Sequence, residues 1–93
     1  MNETQVGNVI ATLGNEFDFH EFIEAFVKMY EREYVELLYS HINNMGSVFT
    51  NAHSQIGRYL LQNSPSLNIE KLDKTVSENI KRNENVNQKW RKL

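Results

Sequence analysis

The sequence predicts an all-α fold, a small bundle of four to five helices with a helix–turn–helix-like C-terminal half. Three observations predict it. Apolar residues recur at helical spacing in four separate segments. A capping signature precedes the strongest of them. No window sustains the two-residue alternation, bounded by turn pairs, that marks a strand. A length of 93 residues allows a single domain, 1–93. Apolar usage of 40% and charged usage of 24% are ordinary globular values, so wholesale disorder is not expected.

Residues 1–15 predict a short, loosely held helix. Val6, Val9, Ile10 and Leu13 share one face. Gly7 weakens it by about 1 kcal/mol relative to Ala, and Gly14-Asn15 stops it. A long helix is predicted from Phe19. Asp18 and Glu21 form an Asp variant of the capping box, with Phe17 and Phe22 at the staple positions. Its apolar set runs from Phe19 to His41 and covers nearly half the circumference, more than one neighbouring helix can cover. A dimer interface built from Phe22, Phe26, Met29, Glu33 and Leu37 is therefore expected. Glu33 falls inside the stripe, where a carboxylate must be paired, protonated or at an edge. In a monomer the extra apolar area would have to be covered by residues 1–15.

Asn43 to Ser47 is a turn cluster. The next helix runs from about Val48 to Gln62, with Phe49, Ala52, Ile56, Tyr59 and Leu60 on one face. Pro65 keeps the chain from continuing it. A fourth helix is expected from about Glu70, with Ile69, Leu72, Val76 and Ile80 on one face. Asn83-Glu84-Asn85 breaks it, and a last helical stretch carries Val86, Trp90 and Leu93. Trp90 reads as the anchor of that stretch.

The chemistry the sequence excludes is as informative. There is no cysteine, so no disulfide, thiolate metal site or thiol catalysis. His20, His41 and His53 lie on three segments without a metal spacing, and no phosphate loop or nucleophile elbow is present. No enzyme activity, cofactor, metal or small-molecule substrate is expected. No stretch approaches the roughly 18 apolar residues of a membrane helix, and no leader pattern opens the chain. A cytoplasmic protein without membrane contact is expected.

The net charge of −2 hides an asymmetry. Residues 1–45 carry two cations against eight carboxylates, and residues 70–93 carry seven against four. On the wheel of the expected fourth helix, Lys71, Lys74, Lys81 and Arg82 point away from the apolar group, and Asn79 shares their side. Cations and an amide on the free face of such a helix suit DNA phosphates and an adenine edge. Glu78 lies within the same arc, and a solvated face with a Glu78–Lys81 pair accounts for these residues equally.

Residues 33–93 also resemble a known family. Tyr34-Val35-Glu36-Leu37-Leu38-Tyr39 with Gly46-Ser47, then Leu67-Asn68-Ile69, Asp73-Lys74 and Ile80-Lys81-Arg82-Asn83, are similar to the C-terminal domain of the RteC family. These are regulators of excision and transfer on conjugative transposons of Bacteroidetes. The resemblance implies a helix–turn–helix domain that binds double-stranded DNA, with Lys71, Lys74, Asn79, Lys81 and Arg82 as contacts. The family's longer final helix has no counterpart after Leu93, and residues 1–32 lie outside the likeness. The alternative is a protein–protein interaction module built on the aromatic stripe, a reading that the sequence pI near 5.9 favours.

Overall fold

Val6, Val9 and Ile10 bury one face of α1 (Glu3–Ala11) against the rest of the chain. In the computed structural model, which describes residues 1–93, this helix is followed by β1 (Glu16–Asp18), α2 (Phe19–Met29), α3 (Glu31–Ser40) and α4 (Val48–Gln62). Four strands complete the chain: β2 (Ile69–Lys71), β3 (Thr75–Glu78), β4 (Glu84–Asn87) and β5 (Lys89–Lys92). The expected all-α fold is thereby overturned. Helix accounts for 48% of the residues and strand for 19%, so the protein is mixed α/β. No helix is long and apolar enough to cross a membrane.

The strands form two antiparallel units. One is a three-stranded sheet of order β1-β5-β2, and the other is the hairpin β3-β4, inserted between β2 and β5. Cross-strand register sorts the side chains by face. Phe17, Trp90 and Lys71 lie in one row, with Phe17 and Trp90 buried in the core. Glu16, Arg91 and Glu70 lie in the next row, on the opposite face. Arg91 Nε donates to Glu70 Oε1 at 2.6 Å, and Lys89 Nζ stands 3.1 Å from Glu16. The acidic front and basic tail of the sequence thus meet as neighbouring strands. Exposed pairs of this kind add little stability, but opposite charges face to face favour this register over a slipped one.

The fourth helix expected from Glu70 does not exist. Leu72, Val76 and Ile80 have helical spacing, yet they lie on a strand edge and a hairpin. The local composition is poor for a helix. Thr75-Val76-Ser77 and the asparagines at 79, 83, 85 and 87 all have low helix propensity. Val76 pairs instead with Val86 across the hairpin. The last stretch is β5, where Trp90 alternates with charged neighbours; a single large apolar residue is too little for alternation to show. Trp90 anchors a central strand, not a helix.

The long helix from Phe19 is two helices. Asp18 begins it as expected, with both halves of the capping box formed: Glu21 N–H donates to Asp18 Oδ1 at 2.8 Å and Asp18 N–H to Glu21 Oε1 at 3.1 Å. The chain then bends at Tyr30 (φ −131°, ψ 51°). An uninterrupted helix from 19 to 41 would run about 35 Å, nearly the full 37 Å of the molecule's longest dimension. The bend lets α3 fold back so that Tyr34 enters the core beside Phe26, with ring centroids 6.4 Å apart. Neither Pro nor Gly marks this bend.

The broad apolar arc of α2 is covered within the chain. Phe22, Ile23 and Phe26 join Val6, Val9, Ile10, Phe17, Tyr34, Ile56, Leu60, Ile69 and Trp90 in one core cluster. Residues 1–15 do contribute the covering face. Phe22 and Phe26 are 0% exposed and present nothing to a second copy. Met29 is exposed at 43%, and Leu37 packs against the edge of the core. Glu33 is half-buried in the first turn of α3. There the carboxylate stands at an edge of the core, beside the positive end of the helix.

Candidate nucleic-acid interface

α4 is the longest helix, and its faces are cleanly divided. Ser47 caps its N-terminus by accepting from Thr50 N–H at 3.3 Å. Ala52, Ile56 and Leu60, spaced by four, are fully buried. Thr50, Ser54 and Arg58, also spaced by four, form an exposed row, flanked by Gln55 and Gln62. The preceding loop is tied down. Asn51 Nδ2 donates to Met45 O at 3.1 Å, and His41 Nε2 is 2.7 Å from Gln55 Oε1. No carboxylate occurs between Glu36 and Glu70. In a chain with 12 acidic residues, α4 and both its flanks are therefore free of negative charge.

Of the five sequence-predicted contact residues, Lys71 and Asn79 line a cleft shared with this helix. The five do not share one helical face. Lys71 ends β2 and Lys74 lies in the connection to β3. Asn79, Lys81 and Arg82 belong to the turn between β3 and β4. Lys81 Nζ stands 4.7 Å from the centroid of the Phe49 ring, in the first turn of α4. That contact brings the hairpin tip to the start of α4. Arg82 forms only a loose pair with Glu78, at 3.9 Å and highly exposed. Lys71 and Lys74 have no carboxylate within 4 Å.

Asn79 has a structural task that the sequence did not reveal. Its Oδ1 accepts from Lys81 N–H at 2.9 Å and from Asn83 N–H at 3.1 Å. Arg82 takes a left-handed conformation at φ 65°. A three-residue loop ending in a left-handed residue is a standard hairpin closure. With its carbonyl oxygen committed to the turn, Asn79 cannot offer the paired hydrogen bonds an adenine edge requires.

Two polar links fasten the hairpin to the body. His20 N–H donates to Asn87 Oδ1 at 3.2 Å, and His20 Nδ1 lies 2.8 Å from Ser77 Oγ. Asn87, buried, also donates to Ser77 Oγ at 3.1 Å and Thr75 O at 3.3 Å. The three histidines make separate hydrogen bonds, and no group of three or more His, Asp or Glu side chains is placed to hold a metal. His53 Nε2 is 2.7 Å from Tyr34 Oη. Burial, then the nearby His20 and Lys81, hold the His53 pKa below its usual value. Burial pushes the Tyr34 hydroxyl up to about 12.

Thr50, Ser54 and Arg58, the exposed row of α4, are not among the sequence-predicted contact residues. The gap in acidic residues from Glu36 to Glu70 was the available signal. Comparison with models of known protein families, with curated proteins and with solved structures returns no match.

Proposed function

We propose that this chain is a non-enzymatic protein that binds double-stranded DNA, with α4 in the major groove and the β3-β4 hairpin along the adjacent backbone. The observation that carries this reading is the carboxylate-free stretch centred on α4, with Lys81 against Phe49 at its start and Lys71 lining the cleft at its side. At about 1.5 Å per residue, α4 is about 22 Å long, and a major groove about 12 Å wide admits a helix. Thr50 and Ser54 can donate to or accept from base edges or phosphates, and Arg58 can pair with a guanine edge. The hairpin cations neutralise phosphates. The link to the RteC-type regulators of mobile elements belongs to this proposal as a DNA-binding role alone, since residues 69–92 form strands and not a helix–turn–helix. A cysteine-free chain with no membrane-crossing helix suits the cytoplasm, where such DNA is found.

An electrophoretic shift on random duplex DNA at low salt tests it. Wild-type protein shifts the duplex, and the triple variant Lys74→Ala, Lys81→Ala, Arg82→Ala shifts it less. Absence of any shift by the wild type overturns the reading.

A second reading, self-association, is favoured by one observation. Val35, Tyr39, Ile42 and Met45 are exposed at 55%, 72%, 57% and 95% along α3 and its following loop. A second copy would cover this surface, not the buried Phe22 and Phe26. Sedimentation at high micromolar concentration decides it.

A further inference from the structure

We propose that the tip of the β3-β4 hairpin is an acid-released flap, which rests on the start of α4 while His53 is neutral and lifts when His53 takes up a proton. It is independent of the DNA reading.

The flap is lightly tied. The hairpin makes no backbone hydrogen bond to any other element. Its lower half is fastened through His20, whose N–H donates to Asn87 Oδ1 and whose Nδ1 meets Ser77 Oγ. From Glu78 to Glu84 every hydrogen bond and ion pair stays inside the hairpin. The tip is held by Lys81, whose Nζ lies 4.7 Å from the centroid of Phe49, and by Ile80 along the wall of the cleft. That cleft, about 560 Å³ between the hairpin and α4, keeps the hairpin from packing closely on the body.

His53 shares the ring that holds the tip. Its imidazole meets Phe49 edge-on, with centroids 6.1 Å apart. The titratable groups that face it are His20 from α2, Lys81 from the hairpin and Tyr34 from α3. Lys71, from β2, lines the same cleft. No Asp or Glu lines it, and α4 itself carries none. The carboxylates of α2 are engaged elsewhere, Glu21 in the helix cap and Glu24 with Lys28. Glu78 turns to Arg82. A proton on His53 is therefore a part-buried charge set against Lys81 without a counterion, unfavourable on both counts. Burial, His20 and Lys81 hold its pKa below the usual value, in keeping with this geometry.

Two elements border that charge. α3 is fixed, because Tyr34 is buried beside Phe26. The hairpin tip is not. Lifting it takes Lys81 away and admits water to His53. The bonds that Asn79 Oδ1 accepts from the Lys81 and Asn83 amides keep the turn closed as it moves.

The Phe49 ring shifts the Lys81 ε-methylene protons upfield, so a ¹H–¹³C spectrum reports where the tip lies. From pH 8 to 5 that signal moves toward the position of a free lysine, and the ratio of lifted to resting tip rises about tenfold. The Tyr30 N–H, bonded to Phe26 O within the body, keeps its exchange protection, which separates a lifted tip from an unfolded chain. His53→Gln holds the Lys81 signal upfield at pH 5. If that variant fails to fold, His53→Phe, which keeps an uncharged ring against Phe19 and Phe49, gives the same result. A Lys81 signal that stays in place in the wild type, Tyr30 protection lost together with it, or a tip that still lifts in either folded variant overturns the proposal.

Discussion

The Tyr34 hydroxyl and His53 Nε2 lie 2.7 Å apart and join α3 to α4 by a single hydrogen bond. The bond depends on the bend at Tyr30, because only the redirected α3 carries Tyr34 inward. His53 also meets the rings of Phe19 and Phe49 edge-on, with centroids 6.4 Å and 6.1 Å away. The charged groups that face it are His20, from the start of α2, and Lys81, from the hairpin tip.

This environment makes stability depend on pH in a stated direction. The folded-state pKa of His53 lies below the unfolded value of 6.5. The unfolded chain then binds more protons as the medium becomes acidic. Its contribution is fully present above pH 6.5 and is lost as pH falls through the lowered folded value. Urea midpoints at pH 7.5 and 5 should show the fall, and His53→Gln should flatten it. A slope unchanged in His53→Gln assigns the effect to other groups. At the alkaline end Tyr34 acts oppositely. Its hydroxyl is held neutral up to about 12 against an ordinary 10.0, so stability is present below pH 10 and declines above it.

The capping box at Asp18 and Glu21 is complete, with Asp18 buried and Glu21 exposed. Asp18→Ala should lower stability by about 0.5–2 kcal/mol, as removal of an N-cap does. Thermal or urea unfolding gives the number directly. A midpoint unchanged within error would mean that the cap contributes nothing to the fold.

Asn79 and Arg82 make separable predictions about the hairpin. Asn79→Ala removes two hydrogen bonds that close the turn and should cost about 1 kcal/mol locally, the ordinary net worth of such bonds. Faster hydrogen exchange at the Lys81 and Asn83 amides is the measurement. Arg82→Gly relieves a left-handed backbone at a non-glycine residue and should slow the same exchange, by up to about 1 kcal/mol in opening free energy. If Arg82 also contacts phosphate, the glycine variant closes the turn more firmly yet binds DNA more weakly. Both properties moving together would argue against that contact.

Salt dependence separates the roles on the proposed DNA surface. Replacing Lys74, Lys81 or Arg82 by Ala should lower the slope of log K against log salt by about 0.9 for each phosphate no longer neutralised. Arg58→Ala should instead cost about 1–3 kcal/mol on a selected site and little on random duplex. Equal weakening on both kinds of DNA would move Arg58 to the backbone contacts.

What the sequence determined alone was local. The Asp18–Glu21 box, the α4 boundaries at Val48 and Gln62, the short first helix and the face of Val6, Val9 and Ile10 were all legible. Capping, turn residues and a 3.6-residue period act over a few neighbouring positions, so the chain itself carries the signal. What only the tertiary structure decided was non-local. The bend at Tyr30 follows from seating Tyr34 beside Phe26 and His53, and the pattern on either side gives no break. The strand identity of residues 69–92 follows from partners far along the chain. Trp90 is buried because Phe17 and Lys71 flank it on two other strands, and Asn87 because it meets His20, 67 positions away. A β-strand is stabilised by hydrogen bonds to strands its own sequence does not contain, whereas a helix closes its hydrogen bonds within itself. The proposed contact surface divides the same way: Lys71, Lys74, Lys81 and Arg82 stand out by charge, but only the fold carries Lys81 to Phe49 at the start of α4.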